Sequence, residues 1–314
     1  MTSSDGSMGS DGVEAAGPRR RSRMNGDVET QPVEPQGEKP HYMEIENLNQ
    51  IPLWLAPCHL VAFLFQTMQT LFLFAFAAQV NLDWFLYVNF PGNSNSLSPN
   101  EYAMPVQREI AHYSIAWYSG AFIFLSAIDH LVCILPRFRR IHEYYIERHQ
   151  SPIRWFEYCL SAPLMRVHIA QVAGVTDVHT LWCIFFITHT AIHFPNLHEF
   201  LNAKARADGY KQNWLPIYFG VIPHLASWCV IFCYFFAGIK QGDPPAFVGS
   251  IVFTLFFLEA LFPLCFYLQW CKVGIFRDYL VGEFGFIMLS FTAKTFLAWT
   301  TLAGAIGRHR LTTH

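Results

Sequence analysis

The chain has 314 residues, of which 53% are hydrophobic and 17% aromatic, while only 14% are charged. A soluble domain carries about 25% charged residues, so this composition excludes an ordinary soluble protein and predicts a polytopic membrane protein. The formal net charge of −2 gives no indication of a nucleic acid partner. The eight cysteines lie mostly in apolar stretches, which predicts buried, reduced thiols rather than a disulfide framework.

Residues 1–48 are rich in Ser, Gly, Asp, Glu and Pro, and contain one basic run at Arg19–Arg23. Such a segment cannot bury a core, so we expect a disordered tail. It also lacks the apolar stretch of a secretory signal. The predicted organisation is therefore a tail at 1–48, a membrane domain at 49–305 and a short tail at 306–314.

The membrane domain contains seven apolar spans, each long enough to cross a bilayer as a helix. They cover about residues 51–80, 110–135, 152–176, 179–199, 214–238, 246–270 and 279–304. The expected fold is thus an all-α bundle of seven transmembrane helices. The longest connection, 81–109, holds NFPGNSNSLSPNEY, whose turn residues separate short extended pieces and predict a small hairpin.

The orientation of the bundle follows from its Lys and Arg residues, which are enriched in cytoplasmic segments. The amino-terminal tail and the connections on its side carry 15 of them, against 4 on the opposite side. The amino terminus is therefore predicted to be cytoplasmic and the carboxyl terminus extracellular, with the hairpin outside.

One lysine, Lys294, stands near the middle of the last span, about 15 Å of helix from either end. A bare ammonium there costs roughly 2.5–3.5 kcal/mol on the lenient insertion scale, so it should be paired or covalently used. An amine in an apolar pocket suits Schiff-base chemistry with an aldehyde. Ser290, one turn earlier, lies on the same helix face.

A protonated Schiff base needs a carboxylate partner, and two glutamates compete for this role. Glu259 lies in the middle of the sixth span, whereas Glu157 lies only about five residues past the apparent start of the third. Depth alone favours Glu259. If the third helix began earlier, within 144–151, its first turns would line a wet cavity and Glu157 would serve equally. Other polar residues of the spans include His59, Ser126 and His130.

The stretches RWFEYCLSAPLM at 154–165 and YLVGEFGFIMLSFTAKTFLAW at 279–299 together resemble the heliorhodopsins, inverted seven-helix retinal proteins with viral and algal members. The resemblance covers about residues 45–305. It implies a light-activated photoreceptor, not an enzyme, that carries all-trans retinal as a protonated Schiff base on Lys294 with Glu157 as counterion. It further implies a homodimer in the lipid membrane, with 81–109 at the interface, and a cytoplasmic signalling partner.

The resemblance also assigns roles to other positions of this sequence. The implied retinal-site residues are Lys294, Glu157, Ser290, Ser126 and Trp299, and the implied proton-relay histidines are His59 and His130. Glu259 and Arg166 depart from the common family pattern. Glu259 is either a structural acid or a station in a proton path, so the output is either sensory or light-gated proton conduction.

The rival interpretation from another class is a metal-dependent membrane enzyme. His189 and His193 are spaced i, i+4, which suits two zinc or iron ligands on one helix face. His198 and His224 are weak candidates for a third ligand, and no HxxHH box is present. A receptor or transporter without chromophore is less favoured, because the halves of the chain show no internal symmetry.

Overall fold

The computed structural model describes residues 55–80, 82–90, 106–242 and 244–312. Within these ranges the chain forms eight helices and one two-stranded sheet. They are α1 (Leu55–Ala77), β1 (Asp83–Phe90), β2 (Val106–Ser114), α2 (Ile115–Ile134), α3 (Pro136–Glu147), α4 (Pro152–Val172), α5 (Val178–Asp208), α6 (Leu215–Gln241), α7 (Ala246–Trp270) and α8 (Tyr279–Thr312). Seven of the eight helices have 20 or more residues, which confirms the predicted seven-helix bundle. The predicted tail at 1–48 lies outside the described residues.

Five helices of the described ranges, α1, α2, α6, α7 and α8, are long and apolar enough to cross a membrane. Helices α4 and α5 carry more charged and histidine residues, including those of the site. Many large apolar side chains on the outside of the bundle are exposed, for example Met68 at 69%, Ile222 at 65% and Phe257 at 65%. Such an apolar exterior fits a bilayer, and the protein is an integral membrane protein.

The hairpin predicted between the first two spans is confirmed. Strands β1 and β2 are antiparallel, from Asp83 opposite Ser114 to Phe90 opposite Val106, with an irregularity between Leu86 and Tyr87. Tyr87 also donates its N–H to Thr176 O at 3.0 Å, which ties the hairpin to the α4–α5 connection.

The start of the second span was predicted wrongly, whereas the third helix begins at the predicted residue 152. Residues 110–114 belong to strand β2, so the second helix starts at Ile115 rather than at 110. The connection that follows is not a plain loop but the amphipathic helix α3, which begins with Pro136 as its first residue. Proline suits this position because its missing N–H would be unpaired there anyway. Helix α4 begins at Pro152, so the earlier start within 144–151 is also wrong.

Both ends of helix α5 have simple local causes. Asp177 precedes α5 and accepts a hydrogen bond from the Thr180 N–H at 2.9 Å, which satisfies one free donor of the first turn. Gly209 ends α5 with φ 77°, a left-handed conformation that glycine adopts without strain. Helix α8 continues to Thr312, so the predicted tail at 306–314 is largely helical.

The bundle core is built from large side chains on facing helices. Its fully buried members include Leu73, Phe122, Ile169, Trp228, Ile251 and Leu297. Because lipid is as apolar as these side chains, close packing rather than escape from water holds the helices together. At Gly282 a Cβ atom would lie 2.4 Å from the Gln269 side chain, so a larger residue there would displace Gln269 where α8 meets α7.

Candidate functional site

Lys294 lies on α8 with only 3% of its surface exposed, at the centre of a polar cluster inside the bundle. Its Nζ donates to Glu157 Oε1 at 2.7 Å and to Ser290 Oγ at 2.9 Å. It also donates to Ser126 Oγ. The face of Tyr158 lies 5.5 Å from Nζ. The amine is therefore surrounded by one acid, two hydroxyls and one aromatic ring.

Three helices supply the partners of this amine. Ser290 lies one turn before Lys294 on α8, as the i, i+4 spacing predicted. Glu157 comes from the second turn of α4, and Ser126 from α2 donates to Glu157 Oε1 at 2.8 Å. Glu157 is 5% exposed and Ser126 1%. Of the two competing carboxylates, the structure places Glu157 against the lysine.

A cluster of histidines adjoins the lysine and its partners. His59 Nδ1 on α1 and His130 Nδ1 on α2 are 2.9 Å apart, so one ring donates and the other accepts. Asp129 Oδ2 lies 3.7 Å from His130 Nδ1, and His142 packs edge-on against His59 at 5.5 Å. The two predicted histidines are thus brought together, and His142 of α3 joins them.

A small cavity connects the histidines with the partners of the lysine. Its volume of about 20 Å³ has room for about one water molecule. Its lining includes Ser126, Glu157, Ser290, His59, His130 and Arg154. A single polar space therefore links the acid beside Lys294 to the histidine pair.

A second set of buried charges, which sequence reasoning did not identify as part of the site, lies beside this cavity. Arg154 in the first turn of α4 donates to Glu199 Oε1 at 2.6 Å and to Glu283 Oε1 at 2.5 Å. Gln269 donates to Glu283 Oε1 at 3.1 Å. Arg154 begins the RWFEYCLSAPLM stretch, but its acidic partners lie on other helices, so no spacing in the sequence linked it to them. This triad joins α4, α5 and α8.

Glu259 lies in a different cluster from Lys294. It accepts a hydrogen bond from Arg166 and a second from Trp228 Nε1 at 3.2 Å. Arg166 also donates to Ser227 Oγ at 2.5 Å. The two charges that depart from the common family pattern are therefore partners of each other.

Trp299 does not contact the lysine cluster through its polar atom. Its indole Nε1 donates to Gln69 Oε1 on α1 at 2.9 Å, and its ring lies 5.1 Å from that of Phe72. The indole hydrogen bond thus fixes α8 against α1 one and a half turns beyond Lys294.

The histidine pair of the rival interpretation does meet, on the outer side of α5. His189 Nε2 and His193 Nε2 are 3.1 Å apart. The third group near them is Cys159 of α4, which the sequence analysis did not consider. His198 is instead buried between the rings of Trp214 and Trp270, at 4.7 and 4.8 Å.

Comparison with known proteins decides the family. The heliorhodopsin family model matches residues 55–306, which is most of the chain. The chain belongs to the heliorhodopsin family. The family predicted from the sequence is confirmed, and membership in it identifies a retinal-binding membrane photoreceptor. A search of curated proteins gave no significant match.

The fold of this heliorhodopsin is also similar to a solved structure. The crystal structure of Exiguobacterium sibiricum rhodopsin matches with a TM-score of 0.50 at 14% identity, covering 82% of this chain and 97% of that one. At so low an identity the match supports the rhodopsin fold alone. The retinal chromophore follows from family membership, while the roles of single residues remain to be argued from the geometry.

Proposed function

We propose that this heliorhodopsin is a light-activated photoreceptor that binds all-trans retinal as a protonated Schiff base on Lys294, with Glu157 as the counterion. The observation that carries the proposal is the 2.7 Å contact between Lys294 Nζ and Glu157 Oε1 inside the bundle. A primary amine is the side-chain group that condenses with an aldehyde. The nearby carboxylate supplies the opposite charge that the protonated imine requires.

The donor set around Lys294 fits retinal. The amine is buried, and the acid lies next to the nitrogen rather than across the bundle. Ser126 touches both Lys294 and Glu157 and holds them in register. Ser290 accepts from the nitrogen on the same helix. Retinal, when bound, supplies absorption of visible light and a change of shape.

The histidine pair is the natural acceptor when the charge pairing at Glu157 is disturbed. His130 Nε2 is buried and has no hydrogen-bond partner among the described residues. It lies on the same cavity as Glu157 and Ser126. Imidazole exchanges protons near neutral pH, which suits a relay between the lysine site and His59.

The sensory output is proposed to run through α4, which carries Glu157. Arg154 lies three residues before Glu157 and holds Glu199 of α5 and Glu283 of α8. A change of charge at Glu157 alters the field at Arg154, because both groups line one low-dielectric cavity. The resulting change in helix packing would be read by a cytoplasmic signalling partner at the side of the predicted amino terminus.

Light-gated proton conduction is a second candidate, favoured by the buried pair of Arg166 and Glu259. Buried ionisable groups in a membrane commonly mark ion or proton pathways. In this version His59, His130 and Glu259 form the relay, and the hydrogen bond from Arg166 to Glu259 must open for Glu259 to carry a proton.

The proposed assembly is a homodimer with a cytoplasmic amino terminus and an extracellular carboxyl terminus. The hairpin shows several exposed apolar side chains, including Phe85 at 46% and Ile110 at 50%. A partner copy or the lipid surface would cover them. The connection at 81–109 is therefore the proposed contact region.

The test is to purify the protein with all-trans retinal, record its visible spectrum, and reduce the pigment with borohydride before peptide mapping. We expect a coloured pigment and a retinyl label on Lys294. Lys294→Ala should abolish the colour, whereas Lys240→Ala, at the exposed end of α6, should leave it unchanged. A colourless wild type, or a label on another residue, contradicts the proposal.

The same pigment placed in a planar membrane separates the two outputs. Light-induced current favours conduction, and colour without current favours sensing. Under conduction, Glu259→Gln should reduce the current while leaving the spectrum in place.

A further inference from the structure

Three metal-ligand side chains meet where α4 packs against α5, on the outer side of α5 and apart from the lysine site. Cys159 Sγ lies 3.7 Å from His193 Nδ1 and 3.8 Å from His193 Nε2. His193 Nε2 lies 3.1 Å from His189 Nε2. One donor atom from each of the three residues falls within 4.8 Å of the other two. Cys159 is buried, His189 half-buried and His193 exposed.

The orientation of His189 follows from a proline one turn along α4. In an α-helix the Cys159 carbonyl would accept the N–H of residue 163, but Pro163 has none. His189 Nδ1 lies 2.7 Å from that carbonyl oxygen. Because a carbonyl can only accept, Nδ1 carries the hydrogen, and the lone pair of the neutral ring is on Nε2. That nitrogen faces His193.

This arrangement is the one that metal-binding histidines use. A ligating imidazole almost always donates its other N–H to a carbonyl or carboxylate, which fixes its tautomer and direction. The hydrogen bond to the Cys159 carbonyl would by itself explain the orientation of the His189 ring. It explains neither the thiol of Cys159 nor the ring of His193 converging on the same point.

Two of the three separations between donor atoms are close to those around a tetrahedral zinc ion. Zn–N distances of about 2.05 Å and Zn–S of about 2.3 Å imply N···N near 3.3 Å and S···N near 3.6 Å. With His193 Nε2 as donor, the observed N···N of 3.1 Å and S···N of 3.8 Å differ from these values by about 0.2 Å, and Cys159 Sγ lies within 4.8 Å of the His189 donor. Small side-chain rotations would close the difference.

We propose that Cys159, His189 and His193 form a binding site for a zinc-class divalent cation, with a fourth coordination position open to the outside. His193 lines a groove of about 400 Å³ along α5, which also exposes Asn196 and Thr190. This groove gives the ion a way in and leaves space for water or another ligand in the fourth position. Binding converts the thiol to a thiolate and releases its proton.

A second group, formed by His59, Cys133 and His142, has similar spacing but a different setting. It lines the closed cavity of about 20 Å³ beside the lysine site. His59 is already hydrogen-bonded to His130 there. That group belongs to the photoreceptor site, whereas the site at Cys159 lies apart from the lysine and has an open approach along the groove at His193.

The test uses the full-length pigment, stripped with a chelator, re-loaded with Zn²⁺ and freed of excess ion by gel filtration. Elemental analysis should find one zinc per chain, and competition with a chelating dye gives the affinity. His193→Ala keeps the bond from His189 to the carbonyl intact, and Cys159→Ala removes the thiol. Each should weaken binding by more than the roughly 10- to 100-fold that loss of an outer-shell partner costs. The dark spectrum of each variant checks its fold.

The matched control is the double variant Cys183→Ala/His179→Ala, which removes an exposed thiol and an exposed imidazole from the same helix α5. It should keep the wild-type affinity. Unchanged binding in both site variants, or an equal loss in the control, overturns the site. Should the site variants fail to form pigment, Co²⁺ added to the wild type decides: a near-ultraviolet thiolate-to-cobalt band supports the proposal, and its absence overturns it.

Discussion

Besides the Arg154 triad, helix α4 contributes to two other ion pairs inside the bundle. Glu157 of α4 pairs with Lys294 of α8, and Arg166 of α4 pairs with Glu259 of α7. Arg166 lies nine positions after Glu157, which places the two pairs about 14 Å apart along the helix. Both cations are almost completely buried, at 3% for Lys294 and 2% for Arg166.

The difference between the pairs lies in the chemistry of the cation. A lysine amine loses its proton readily and can form a bond to carbon. A guanidinium stays charged under all conditions in a protein and offers a fixed fork of donors. Arg166 uses this fork to hold Ser227 and Glu259 at once. By depth in the membrane, Glu259 seemed the better counterion. The identity of the cation that each acid contacts is a better guide to its role than its depth.

The comparison with the largest expected effect is between the absorption spectra of variants in which Glu157 or Glu259 is neutralised. Removing the negative charge beside a protonated imine favours its excited state, in which positive charge has moved away from the nitrogen. One charge about 4 Å away is worth about 4 kcal/mol at an effective dielectric of 20, against roughly 50 kcal/mol in a visible photon. Glu157→Gln should therefore shift the absorption maximum to the red by on the order of tens of nanometres. Absorption spectra of the purified variants measure the shift.

Glu259→Gln is the control for that experiment, because its acid is bonded to Arg166 instead. It should move the maximum by a few nanometres at most. Glu157→Asp, which keeps the charge, should lie closer to the wild type than Glu157→Gln does. A larger shift in Glu259→Gln would transfer the counterion role to Glu259.

The second comparison concerns stability. Removing one partner of a buried pair strands the other charge and costs about 3–5 kcal/mol, whereas replacing both with apolar groups is often neutral. Arg166→Met and Glu259→Leu should each strongly destabilise the protein, and the double variant should recover most of the loss. Denaturant unfolding of the pigment, arranged as a double-mutant cycle, measures the coupling.

The pair at Lys294 does not permit the same replacement, because the amine is needed for the chromophore. Recovery of stability with normal colour in the Arg166/Glu259 double variant would show that the second pair is structural. If the double variant were no more stable than the singles, the two residues would not act as a pair.

Most of the fold was predictable because seven apolar spans and one turn-rich connection leave few architectures for a membrane chain. The ends of elements were not. Residues 110–114 contain Ile110 and Ala111, which hydropathy counts as membrane, yet they belong to strand β2, in which residues 111–114 pair with β1. Helix α3 was missed because its apolar residues, such as Phe138 and Ile141, alternate with arginines and lower the mean hydropathy.

The contacts of the site that lie within one helix were predictable from the sequence. Ser290 and Lys294 share a helix face by spacing alone, and the structure joins them. Contacts between distant segments were not readable in the same way. The bonds of Arg154 to Glu199 and Glu283 span 45 and 129 residues of chain, and only the fold brings them together. Cys159 was overlooked for the same reason, since its histidine partners lie on the next helix.

The smallest expected effect on the spectrum comes from removing one serine hydroxyl beside each cation. Ser290 accepts from Lys294 Nζ, whereas Ser227 accepts from Arg166 Nη1. A single hydrogen bond contributes about 0.5–1.5 kcal/mol, a small fraction of the energy of a visible photon. Ser290→Ala should therefore shift the absorption maximum by roughly a few nanometres, measured as a difference spectrum against the wild type. Ser227→Ala should leave the spectrum unchanged because its hydroxyl contacts Arg166 and the His224 carbonyl, and neither belongs to the lysine site. Equal shifts in both variants would show that the two ion pairs are electrostatically coupled along α4. The distinction between a chromophore pair at Lys294 and a structural pair at Arg166 would then be wrong.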